Sequence, residues 1–156
     1  MKRLFRRPPD FIIGGPERPY LRRWWVIPRN RWFNIYLHQI LRDDEDRALH
    51  DHPWVNCSIP LTAGYIEVRP AVRPDITDQV TAVVRRVGRP VFRRAVAAHR
   101  IVLLRDSAGQ PIPCWSLFLT GPVVRTWGFW CSWGWRPWRE FVDSIDTGRA
   151  GKGCGD

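Results

Sequence analysis

The chain is nearly without lysine, has one methionine, no Cys-x-x-Cys pair and no long apolar run. Each shortage removes a class of protein. No stretch approaches the roughly 18 apolar residues that a membrane helix needs. Met1-Lys2-Arg3-Leu4 leads into Arg6, Arg7 and two prolines where a secretory signal would place its apolar core, so a cytoplasmic protein is expected. Cys57, Cys114, Cys131 and Cys154 are too scattered for a zinc knuckle, and free thiols are the expectation. There is no internal repeat and no long amphipathic helical pattern.

What is present points the other way. Fourteen prolines and twelve glycines punctuate segments rich in Val, Ile, Trp and Phe, the make-up of short strands joined by turns. With 156 residues the chain suits one all-β domain with a real core. Strands are expected at Trp24 to Ile27, Phe33 to Leu41, Trp54 to Leu61, Tyr65 to Arg69, Val80 to Val87, Val91 to Ala97, His99 to Leu104 and Trp115 to Thr120. An acidic turn is expected at Asp43 to Asp46 and a loop from Arg69 to Asp78. Residues 1–20, with Pro8, Pro9, Pro16 and Pro19, read as an extended basic arm, 21–147 as the domain and 148–156 as a disordered Gly-rich tail.

The formal net charge is +10, and residues 1–31 carry nine Lys or Arg against Asp10 and Glu17, a net +7. Such an arm can neutralise phosphates. Arginine recurs throughout the chain, however, so a solvated Arg-rich surface is favoured over nucleic-acid binding. Trp127, Trp130, Trp133, Trp135 and Trp138 fall within twelve residues. Packing at the end of a barrel is favoured for them over stacking on a base or sugar.

The most specific signal is a histidine spacing. His50 and His52 flank Asp51, Cys57 and Gly64 follow at fixed offsets, and Gly88 stands eleven residues before His99. On a strand, side chains at i and i+2 leave one face about 7 Å apart at Cα, so His50 and His52 can converge on one ion while Asp51 points away. A third ligand must arrive from a distant strand, because bonds of roughly 2.0 to 2.2 Å require approach from different directions. His99 is the candidate. Gly64 and Gly88 suit turns where φ is positive.

This spacing resembles the two motifs of the cupin superfamily. His50, His52 and Gly64 match the first motif, with Asp44 in place of its leading glycine and Cys57 in place of its glutamate. Gly88 and His99 match the second, whose proline, second glycine and asparagine are replaced by Arg94, Val96 and Leu103. The segment from Asp46 to Trp54, with Gly121-Pro122 and Trp127-Gly128-Phe129, is similar to small single-domain cupins of bacteria and phages, over roughly residues 20 to 140. The resemblance implies a double-stranded β-helix, a jelly-roll barrel with one divalent ion near its centre, and a homodimer.

Cys57 at the glutamate position, or the neighbouring Asn56, leaves a three-histidine face. Thiol dioxygenases of the superfamily look similar in this respect, so Fe(II) is favoured over Zn, Mn or Ni, and a dioxygenase-type reaction on a small anionic molecule is the leading expectation. Vacant positions on such an ion leave room for substrate and O2. Arg42 and Arg94, with Cys57 and Trp127, are candidate substrate contacts. Glu67 is the candidate base or partner of a ligand histidine. His38 is read as structural. The alternatives are a metal-dependent isomerase or lyase acting on a sugar or sugar nucleotide, and a non-catalytic binding module using the basic arm and the Trp cluster.

Overall fold

A computed structural model describes residues 7–44, 48–72, 79–144 and 151–155. The strands, in chain order, are β1 (Phe11–Ile13), β2 (Leu21–Trp25), β3 (Asn34–Ile40), β4 (Leu49–His50), β5 (Asn56–Pro60), β6 (Tyr65–Pro70), β7 (Val80–Arg85), β8 (Val91–Arg93), β9 (Arg100–Leu103), β10 (Cys114–Thr120), β11 (Gly128–Cys131) and β12 (Gly134–Pro137). One short helix, α1 (Trp138–Phe141), follows. Among the described residues no helix is long and apolar enough to cross a membrane. Parts of the expected acidic turn and of the loop after Arg69 lie outside the described residues.

Six strands form the first layer in the order β1-β2-β3-β10-β5-β8. Two three-stranded sheets, β12-β11-β4 and β7-β6-β9, form the second. His50 and His99 join those two small sheets, since each donates its backbone N–H to the other's carbonyl at 2.9 Å. The result is a two-layered jelly roll. Its core has Leu21, Ile40 and Cys114 from the first layer packed with Tyr65 and Leu103 from the second.

Alternation along the strands sorts side chains into this interior. In β10, Cys114, Ser116, Phe118 and Thr120 are buried while the intervening residues are half exposed. The same parity carries across the paired strands, to Ser58 and Tyr36 beside Phe118 and to Asn56 beside Thr120.

Three features differ from the expectations. The lead-in segment contains β1, which pairs antiparallel with β2. The expected histidine strand is interrupted: β4 ends at His50, the chain bends through Pro53, and β5 begins at Asn56 in the other layer. Gly64 does not need positive φ; a Cβ there would collide with the carbonyl oxygen of Arg85, so close backbone approach is what requires glycine. Gly88, with φ of 73°, is the left-handed turn residue.

The cysteines also differ. Cys131 and Cys154 form a disulfide, while Cys57 and Cys114 are free and buried. The spacing of 23 residues carries no pairing signal; the β11–β12 hairpin and α1 bring the chain back on itself. Residues 151–155 are therefore held against the hairpin, with the Trp133 indole N–H donating to the Cys154 carbonyl at 2.8 Å and Arg136 donating to that of Gly153 at 2.7 Å. Residues 148–150 and 156 lie outside the described residues.

Asp51 points away from its two histidine neighbours and is fully buried. Its carboxylate accepts from the Gly128 backbone N–H at 2.8 Å and the Trp135 indole at 3.0 Å, and pairs with Arg125 at 2.7 Å. It pins the β11–β12 hairpin beside the histidine segment. Removing a buried, fully paired carboxylate leaves its donors without partners. Asp51→Ala is expected to cost about 3 kcal/mol or more of stability, read as a lower midpoint in urea unfolding.

Candidate metal centre

The histidine pair and the distant histidine do meet. His50, His52 and His99 each offer a ring nitrogen, and these atoms lie within 4.8 Å of one another. Backbone geometry explains it. A residue pair that exchanges both antiparallel hydrogen bonds presents its side chains on the same face, so the His50 and His99 rings leave their bridge together, with centroids 5.0 Å apart. The His52 backbone N–H donates to the Ala95 carbonyl at 3.0 Å, which swings its ring back to 5.2 Å from His50 and 5.1 Å from His99.

The donor set fits a metal ion. His52 Nε2 and His99 Nε2 are 2.9 Å apart. Two donors bound at right angles to one ion, each at roughly 2.1 Å, stand about 3 Å apart. Burial, the largest influence, pushes both imidazoles down, His52 well below the usual range and His99 to about 4, so both are neutral at physiological pH as ligation requires. His99 Nδ1 lies 2.9 Å from Glu67 Oε1, leaving Nε2 for the cluster. On the other side, Asp44 Oδ2 stands 4.0 Å from His50 Nδ1.

Glu67 is the hub of a buried polar network. Burial alone would raise its carboxyl, yet contacts with His99 and Arg93 hold it well below the usual carboxylate range. Arg85 Nε donates to Glu67 Oε2 at 2.6 Å, and Arg93 pairs with Oε1. Arg93 further donates to Ser58 Oγ at 2.9 Å and to the Tyr65 hydroxyl at 3.0 Å, reaching Asn56 Oδ1 at 3.4 Å. This ties the two layers together behind His99.

The other candidates divide. Trp127 stands at the site, its ring 6.4 Å from His50 and stacked on Trp138 at 5.6 Å. Cys57 does not face it: the side chain lies on the outer face, in register with Phe92 and Leu119, and Asn56 takes the inward position. Arg94 is exposed, and its neighbour Arg93 is the arginine that points inside. Arg42 lies just beyond the end of β3, against the Tyr20 ring and the Arg18 carbonyl. His38 is inside the barrel, stacked on Phe118 at 4.9 Å. Asn56 was the alternative to Cys57 beside the glutamate position and is the one inside, whereas Arg85 and Arg93 carried no sequence signal beyond strand alternation, which a one-residue uncertainty in register inverts.

No protein-family model matches the chain, and no curated protein does. Among solved structures it is similar to a candidate mannose-6-phosphate isomerase from Ralstonia eutropha JMP134, at 16% identity and a TM-score of 0.50, over 77% of this chain and 95% of that one. It is also similar to Fe(II) HppE in complex with substrate, at 11% identity and a TM-score of 0.54, over 75% of this chain and 57% of the other. A variant of oxalate decarboxylase from Bacillus subtilis aligns at 13% identity and a TM-score of 0.51, over 81% and 31%.

The chain has the cupin fold. Identities this low establish architecture and say nothing of the reaction. Within the cupin barrel, the His50, His52 and His99 cluster can hold a metal.

His38 gives a direct test of the interior. Burial, then the Arg23 cation, pushes its imidazole well below 6.5. The sign follows: the unfolded chain gains a proton near pH 6.5 that the folded ring refuses, so this contribution to stability is complete above that pH and lost below it. The His38 ring signals in NMR are expected to stay unchanged from pH 7.5 to 5.5; a titration midpoint near 6.5 would contradict the burial.

Proposed function

We propose that this cupin is a mononuclear metalloenzyme in which His50, His52 and His99 hold one divalent ion, Fe(II) favoured, and that it acts on a small anionic molecule with O2. The observation that supports it is the ligand set itself: three imidazoles converge, and the inward position nearest the missing glutamate holds Asn56, an amide. When bound, a ferrous ion with three neutral ligands supplies vacant positions for substrate and O2. The isomerase reading uses the same ligands with a redox-inert Lewis acid, and the structure of the candidate isomerase from Ralstonia is in keeping with it.

The surrounding residues do the rest. Glu67 fixes the orientation and tautomer of His99, and with two arginines on it the carboxylate is a poor proton acceptor. Its role is positioning rather than general base. Phe118 and Trp127 flank His52 and His50 at 6.1 and 6.4 Å and give the cluster an aromatic border.

Elemental analysis after anaerobic purification tests the reading. Iron near one per chain, lost in His99→Ala, is the expected result; zinc, nickel or manganese lost in the same variant would move the assignment to isomerase or lyase chemistry. No metal after reconstitution would sink both. Glu67→Gln is expected to weaken metal affinity about 10- to 100-fold, read by competition with a chromogenic chelator.

A further inference from the structure

Many of the apolar side chains that the barrel leaves outside gather at one end of the large sheet. Trp25 closes β2 beside Tyr36, and Asn34 opens β3 opposite Thr120 at the close of β10. Asn56 opens β5 opposite both Thr120 and Arg93, the last residue of β8. Residues 26–33, 53–55, 94–96 and 121–125 therefore leave the sheet together. Backbone bonds join them: the Gly121 N–H donates to the Val55 carbonyl at 2.9 Å, that of Val124 to Pro53 at 2.8 Å and that of His52 to Ala95 at 3.0 Å.

Trp32, Phe33, Val55, Phe92, Val123 and Val124 are exposed at this end, Trp32 to 64% and Phe92 to 79%. Val55 and Phe92 line one groove of about 540 Å³. Large apolar patches on a water-facing surface mark interaction sites. The aromatic tip is also held in place. Asn30 Oδ1 accepts from the Trp32 and Phe33 backbone N–H groups at 2.9 and 3.0 Å, and Asn34 Oδ1 accepts from that of Asn30 at 3.0 Å. Both rings are thus presented with little ordering left to do on binding.

The charge here has one sign. None of the four segments contains Asp or Glu, and between Glu17 and Asp43 the chain runs through six arginines without an acid. Arg93 and Arg125 are paired with Glu67 and Asp51, whereas Arg29, Arg31 and Arg94 are exposed. Arg29 lies over the Trp25 ring at 5.5 Å and Arg31 over the Trp32 ring at 4.6 Å. Asp10, whose carboxylate accepts from the Trp25 N–H, is itself paired with Arg7.

We propose that this end of the barrel docks on the anionic phospholipid surface of a membrane, with Trp32, Phe33 and the valines at the headgroup boundary and Arg29, Arg31 and Arg94 among the lipid anions. Indole rings settle at headgroup level, and arginine buries its stem while the guanidinium stays with the charges. Two other occupants fit less well. A second copy joined through the same end sets these arginines against their own equivalents with no carboxylate between them. A nucleic acid engages the arginines and the rings but gives Val55, Val123 and Val124 nothing to pack on. Docking of this kind is independent of the metal.

Co-sedimentation of the full chain with vesicles of phosphatidylcholine and phosphatidylserine in equal amounts, beside vesicles of phosphatidylcholine alone, tests this. Saturable binding to the anionic vesicles is expected, weaker on the neutral ones and weaker in high salt. Trp32→Ser with Phe33→Ser is expected to weaken it about tenfold or more. Val84→Ser, at an exposed position of β7 in the other layer, is expected to leave it unchanged. If the aromatic variant does not fold, Arg29→Gln with Arg31→Gln takes its place, with a loss of about tenfold expected. No binding to either vesicle, equal binding to both, or a loss no greater than that in Val84→Ser overturns the proposal. So does a partner of another class: a single-stranded oligonucleotide, or a second copy of the chain, that the aromatic variant no longer binds while the vesicles are ignored.

Discussion

The reciprocal backbone bond between His50 and His99 is the constraint on which this molecule turns. It is the only ladder contact joining the two small sheets among the described residues, and so it makes one layer of them. It also fixes the side chains. An antiparallel pair that exchanges both hydrogen bonds has its Cβ atoms on one face, so closing the barrel and assembling two of the three imidazoles are one event. His52 then needs only the bend at Pro53 and its bond to Ala95 to complete the cluster.

Two buried carboxylates secure that arrangement from opposite sides. Glu67, beneath His99, is paired with Arg85 and Arg93 and ties β6, β7 and β8 together. Asp51, between the two other histidines, faces the reverse direction and holds β11 and β12 through Gly128 and Trp135. Neither contributes stability simply by being charged. Each is fully partnered, which is the condition under which burying a carboxylate is tolerated and its donors become mutually dependent. The hairpin that Asp51 holds also presents Trp127 to His50 and receives the returning chain through the Cys131–Cys154 bond.

The interior contrasts with the outer face of the large sheet. Inside, Asn56, Ser58, Glu67, Arg93, His38 and His99 make a buried polar lining around Phe118 and Tyr36. Outside, Cys57, Leu117 and Leu119 form apolar rows with the exposed Phe92. A conventional reading of hydrophobic alternation assigns the apolar face to the core, and here that inference inverts the strands. Cys57 was a candidate because it stands at the motif's glutamate position and Arg94 because it shortly precedes His99 in the chain, while Asn56 and Arg93 are the ones inside.

Much was legible in the amino-acid order alone. Proline, glycine and β-branched residues dictate short strands, and eight of the twelve fall where composition and turn signals place them, because those signals are local. The histidine offsets identified the three imidazoles that meet, since i and i+2 spacing and one distant partner follow from strand geometry and ligand directions. Local rules could not say which parity of each strand faces inward, that His50 and His99 would bond through their backbones, or that Cys131 would find Cys154. Those outcomes depend on register between segments far apart in the chain, and register is decided by the packing of whole layers.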